Sequence, residues 1–156
     1  MPTRVFSQQP DLVSALPQLL AHARRFFAAE LTVLSASPPD RAEPALAQVT
    51  LRLESARYPG SGTFCIDARP NSDAERAAAQ RAEQRGRAGG MADLAARCGA
   101  LWLVTAAGEI TGSAELQLSA LLASVALGPV LPEDESTLYG VRGAMERAEK
   151  AAKSAP

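Results

Sequence analysis

Along residues 48–54, QVTLRLE, apolar and polar positions alternate strictly. Val49, Leu51 and Leu53 fall on one side of an extended chain, and Gln48, Thr50, Arg52 and Glu54 on the other. The same period returns in TFCIDA at 63–68, with Phe64 and Ile66 on one face and Thr63, Cys65 and Asp67 on the other. Between the two runs lies RYPGSG. A Pro-Gly pair fits the centre of a type II turn, because proline presets φ and glycine accepts positive φ. The pattern therefore predicts a β-hairpin. A phosphate-cradling loop would need a lysine and a hydroxyl after its last glycine, leading into a helix. Here Thr63 and Phe64 follow, and they open a strand.

Other stretches follow a helical period. Leu12, Leu16, Leu19, Ala23 and Phe26 recur at spacings of four and three. Pro17 fits such a helix if Ser14 is its N-cap, since first-turn amides have no partner; otherwise the helix is kinked there. Residues 72–75, SDAE, spell a capping box with Ser72 at the N-cap. The helix that follows offers only alanines as an apolar face, so the segment at 73–90 is expected to be weakly anchored. MADLAARC places Met91, Leu94, Ala95 and Cys98 together, with Gly99 as its C-terminal cap. SAELQLSALLASVALG turns Ala114, Leu118, Leu121, Leu122 and Val125 inward and is stopped by Gly128 and Pro129. Leu138, Val141, Met145 and Ala148 form a narrow stripe on a last helix, whose tail at 150–156 is expected to fray. Short strands are predicted at 3–7 and 31–37. ALWLVTA, apolar on both faces, reads as a central strand covered on both sides.

The order read from these periods is βαβββαβαα. It predicts one α+β domain over 1–156, a two-layer sandwich. Its sheet is mostly antiparallel, of about four to five strands, with helices mainly on one face. At 156 residues and 47 % apolar content the chain can build a core without staples. Net charge is −1, which creates no field to attract nucleic acid or an anionic membrane, so neither is expected as a partner. Residues 1–12 lack the apolar stretch of a secretory signal. The expected location is cytoplasmic, and the Ala-, Arg- and Pro-rich vocabulary fits a GC-rich bacterial coding sequence.

Candidate chemistry is sparse. His22, the lone histidine, sits about 110° from the centre of its helix's apolar arc at roughly 100° per residue, the position of a flanking surface group. Two cysteines, Cys65 and Cys98, have no CxxC spacing, and no metal site or cofactor is expected. They are expected on opposite sides of the sheet, both as free thiols. Cys98 reads as inert core. Cys65 is reactive only if a cation such as Arg52 lies beside it. Arg76, Arg81, Arg85 and Arg87, with the turn Pro59–Gly62, are the residues that would contact an anion or nucleotide. Without interleaved aromatics they read more simply as a solvated helix face. The acidic run Glu133–Glu135 lacks the spacing of a calcium loop and fits the approach to a helix N-terminus. Trp102 reads as core. The resulting expectation is a non-enzymatic interaction module that binds another protein or a second copy. Leu138, Val141 and Met145 are its contact residues, and the small-anion or nucleotide-binding domain is the alternative.

Overall fold

The computed structural model describes residues 2–37, 47–86 and 89–154. The fold is α+β. One sheet of six strands has the order β2-β3-β4-β5-β1-β6, and every neighbouring pair is antiparallel. In chain order the elements are β1 (Thr3–Ser7), α1 (Leu12–Phe27), β2 (Ala29–Ser37), β3 (Gln48–Ser55), β4 (Gly60–Pro70), α2 (Asp73–Gly86), α3 (Met91–Arg97), β5 (Ala100–Gly112), α4 (Ala114–Ala126), β6 (Val130–Leu131) and α5 (Val141–Ser154).

Because side chains alternate across a strand, two cores form back to back. Val5, Trp102, Val104 and Val130 face a large core with α1, α4 and α5, joined there by Val49, Leu51, Leu53, Phe64 and Ile66. Their neighbours Phe6, Leu101 and Leu131 face a second core with Ala78, Ala79, Ala82, Ala92, Ala95 and Cys98 from α2 and α3. The alternation at 48–54 holds to the residue: Val49, Leu51 and Leu53 are 0 % exposed. Each such side chain contributes about 1.5–3 kcal/mol by leaving water. Helices thus lie on both faces, but the second layer covers only the side of the sheet built from β5, β1 and β6. This explains why β1 is buried at every position while β3 keeps a polar face.

Several local expectations need correction. Asp11, not Ser14, caps α1: its carboxylate accepts from the Ser14 amide at 3.2 Å and the Ser14 hydroxyl at 2.6 Å. Pro17 therefore lies within the helix, on its exposed side. The hairpin exists, but its loop is Ala56–Pro59, and Gly60 already pairs with Ser55 in β4. Gly60 does not take positive φ. It is small for another reason: a Cβ there would stand 2.8 Å from the Ala114 amide nitrogen. The Ser72 hydroxyl accepts from the Glu75 amide at 3.3 Å, yet the Glu75 carboxylate turns to Arg4 Nε, 3.2 Å away, rather than closing the capping box. α3 is capped by Cys98 in extended geometry, not by Gly99. α4 ends on left-handed Leu127, one residue before Gly128. β5 runs on to Gly112, because three residues bulge out between the Phe64–Ala106 and Gly62–Ile110 pairs and hide the alternation.

Candidate functional site

The α4 helix positions a polar cavity at the end of the sheet. Glu115, Leu116 and Ser119 lie on one flank of its first turns, and Thr3 of β1 reaches them: the Thr3 hydroxyl donates to Glu115 Oε1 at 3.1 Å. The connector from β6 to α5 closes the other side. Its Glu135 amide donates to the Pro132 carbonyl at 3.0 Å, and Asp134 Oδ1 accepts from the Ser136 amide at 3.0 Å. Tyr139 then joins the sheet by exchanging backbone hydrogen bonds with Val130 at 2.7 and 3.2 Å. Together these residues bound a cavity of about 560 Å³. Leu116 and Tyr139 also form the near wall of a second groove, of about 680 Å³, that continues along α5 past Gly143, Arg147, Lys150 and Ala151.

The electrostatics of this surface are graded. Glu115, Glu133 and Asp134 line the first cavity, whereas Arg147 and Lys150 line the second together with one carboxylate, Glu146. The Ser136 hydrogen bonds hold the Asp134 carboxyl below its usual range, with Arg147 acting in the same direction. Burial raises the Tyr139 hydroxyl, Arg147 opposes, and Glu115 and Asp134 reinforce the rise. The phenol thus stays protonated, with the Arg147 guanidinium 4.4 Å from its ring centre.

The residues singled out in the sequence fall elsewhere, or beside this surface. Leu138 is 0 % exposed in the second core, so it cannot be a contact residue: the chain ahead of α5 turns it under the sheet. Val141 and Met145 are half-buried against the main core, next to the groove. Arg76 pairs with Asp73 at 3.2 Å and donates to the Ala96 carbonyl at 3.3 Å. Arg85 donates to the Glu135 carbonyl at 3.3 Å, Arg81 is exposed, and Arg87 lies outside the described residues. The Pro59–Gly62 stretch borders a cavity of about 600 Å³ whose charged lining is Glu30 and Glu54, with none of Arg76, Arg81 and Arg85 among its lining. The Ser113 amide at the start of α4 points at the Pro59 carbonyl, 3.1 Å away, and buried Gln117 donates to the Tyr58 carbonyl at 2.7 Å. The turn is thus pinned by the helix beside it.

The thiols also correct an expectation. Cys98 belongs to the α2–α3 core, and Cys65 alternates away from Phe64 and Ile66, so both lie on the same side of the sheet. Both are free. Burial pushes the Cys98 thiol up to about 11. Cys65 accepts from Gln48 Nε2 at 3.3 Å, whereas Arg52 pairs with Glu54 at 2.9 Å and reaches Thr63. His22 Nδ1 lies 2.8 Å from the Ser124 hydroxyl, which itself donates to the Leu121 carbonyl at 2.6 Å. The Leu121 carbonyl thus competes with the imidazole for the one Ser124 hydroxyl proton, which a serine nucleophile would have to give to its base.

The groove was missed in the sequence because its members come from residues 3, 115–119 and 132–151, and nothing in their spacing links them. The acidic run at 133–135 was the one visible signal, and it divides: Glu133 and Asp134 line the cavity, while Glu135 Oε1 accepts from Arg4 at 3.3 Å. The chain matches no protein-family model, no curated protein and no solved structure. No helix among the described residues is long and apolar enough to cross a membrane.

Proposed function

We propose that this chain is a non-enzymatic protein-interaction module whose docking surface is the groove between α4 and α5. The observation that carries the reading is the groove itself. It has an apolar floor of Leu116, the Tyr139 ring and Ala151, with carboxylates alone at one end and Arg147 and Lys150 outnumbering Glu146 at the other. An apolar floor with charged ends suits a peptide segment or helix that buries alternate side chains and is oriented by its charges. Val141 and Met145 act from beneath, fixing α5 at the groove's edge, and Leu138 holds the preceding turn.

The test uses the tagged full-length chain in lysate of its native cell. A stoichiometric partner, either another protein or an untagged second copy, is expected to be recovered. Ala151→Glu and Arg147→Glu are expected to abolish recovery; Ala151→Glu should leave the melting temperature unchanged, whereas Arg147→Glu, which loses its stacking on Tyr139, should lower it slightly. Recovery that survives both substitutions sinks the groove as the docking surface.

A further inference from the structure

We propose that the cavity between β1, α4 and the β6–α5 connector receives the ammonium group of a lysine side chain presented by the partner protein. This rests on the interaction reading above and names the chemistry that the partner must carry. The charged residues lining the cavity are Glu115, Glu133 and Asp134, so its local charge is negative in a chain of net charge −1. Ser119 is an independent pointer. It is 2 % exposed and lines the same cavity, and its hydroxyl meets no hydrogen-bond partner among the described residues. The hydroxyl is not sealed from the cavity, so an entering donor can reach it.

The donor set fits an ammonium better than a guanidinium. Glu115 and Ser119 are one helical turn apart on the same flank of α4, and both line the cavity. A compact ammonium with three donors satisfies a carboxylate, a hydroxyl and a further carboxylate at once, whereas a guanidinium is a planar fork that seeks a bidentate partner. The apolar wall of Leu116 and Tyr139 suits the four-carbon stem of lysine, which buries its methylenes while its head is paired. The same two residues open into the neighbouring groove with Arg147 and Lys150. A free amine would fill one end only. A polypeptide carrying lysine, then apolar side chains, then a carboxylate about one helical turn away would match the whole graded surface.

The experiment follows amide shifts of the ¹⁵N-labelled full-length chain by NMR. The probe is a capped peptide with one lysine, flanking leucines and a glutamate four residues on. The controls are the same peptide with Nε-acetyl-lysine, and butylamine. Saturable shifts centred on Glu115, Leu116, Ser119 and Tyr139 are expected with the lysine peptide. Acetylation and Glu115→Gln should each weaken binding about tenfold, the scale of a lost charge-assisted hydrogen bond, and Ser119→Ala severalfold. Equal binding of the acetylated peptide overturns the proposal. So does wild-type affinity in Ser119→Ala, which decides the matter if Glu115→Gln lowers the melting temperature. Butylamine binding as tightly as the peptide overturns the protein source of the ammonium. If the acetylated peptide binds equally while lysate recovery is still lost in Ala151→Glu, the interaction reading stands and the lysine pocket alone is rejected.

Discussion

Single residues in this fold are constrained by what stands within a few ångströms of them. A Cβ at Gly128 would run into the Phe6 carbonyl oxygen and come 3.0 Å from Cys98 Sγ, whereas one at Gly89 meets nothing within 4 Å. Gly128→Ala is expected to destabilise the chain by about 1–3 kcal/mol, the usual cost of overpacking. Gly89→Ala should change stability by no more than about 0.5 kcal/mol. Urea unfolding of the two variants checks the pair. Cys98 carries a pH prediction. Burial raises its thiol from 9.0 to about 11, so the folded chain holds that proton more tightly than the unfolded chain. The associated stability is fully present below pH 9.0 and is lost as the pH rises toward about 11. Urea midpoints should decline across that window, and Cys98→Ala should decline less. Asp11 behaves oppositely: hydrogen bonds from Ser14 lower its pKa from 3.8, so its contribution is present above that value and is lost as the pH falls below it. Replacing this cap by alanine should cost about 1 kcal/mol.

Elements are joined here by a few polar ties as well as by the cores. Arg4 on β1 is 8 % exposed; its Nε lies 3.2 Å from Glu75 of α2 and its Nη1 3.3 Å from Glu135 of the connector. Removing the guanidinium leaves two partly buried carboxylates, Glu75 and Glu135, without their counter-charge. Arg4→Met is expected to destabilise by about 1–3 kcal/mol, since both carboxylates keep some access to water. Because α2 otherwise rests on Ala78, Ala79 and Ala82, amide exchange should accelerate first across Asp73–Gly86. Uniform acceleration throughout the molecule would show that Arg4 is not a local tie. The edge strand β2 carries its own protection. Leu34, 56 % exposed, is the extra residue of a bulge between the Val33–Leu51 and Ser35–Thr50 pairs, which disrupts the free edge.

At the scale of the whole molecule, the sheet joins strands far apart in sequence. β1 pairs with β5, Val5 lying opposite Trp102, nearly a hundred residues on. Such pairing must close a long loop before it is rewarded, so refolding is expected on the order of milliseconds to seconds. The chain has one tryptophan, fully buried where β5, β1 and β4 meet. Its fluorescence should change in the same transition as far-ultraviolet circular dichroism during urea unfolding, because its burial is complete only when β1 docks on β5. Separate transitions for the two signals would mean that β1 and the two cores do not fold as one unit.

The sequence by itself determined the elements whose periods are local: the alternation at 48–54, the stripe of α1, the start of α2 at Ser72, the buried face of α4 and the α+β class. Each depends on side chains within a few residues, where the geometry of helix and strand fixes which positions share a face. It also placed Trp102 and Cys98 in the interior. Only the tertiary structure decided which face each helix covers, and therefore that both thiols lie on one side of the sheet and that Leu138 is core. It also decided that the turn at 56–59 is pinned by α4 instead of facing the arginines of α2. The two-residue β6 has too short a period to announce itself, and β5 hides its second half behind a bulge. The groove belongs wholly to this second category. Thr3, Ser119 and Tyr139 meet because β1 inserts between β5 and β6, a long-range pairing that local periodicity does not encode.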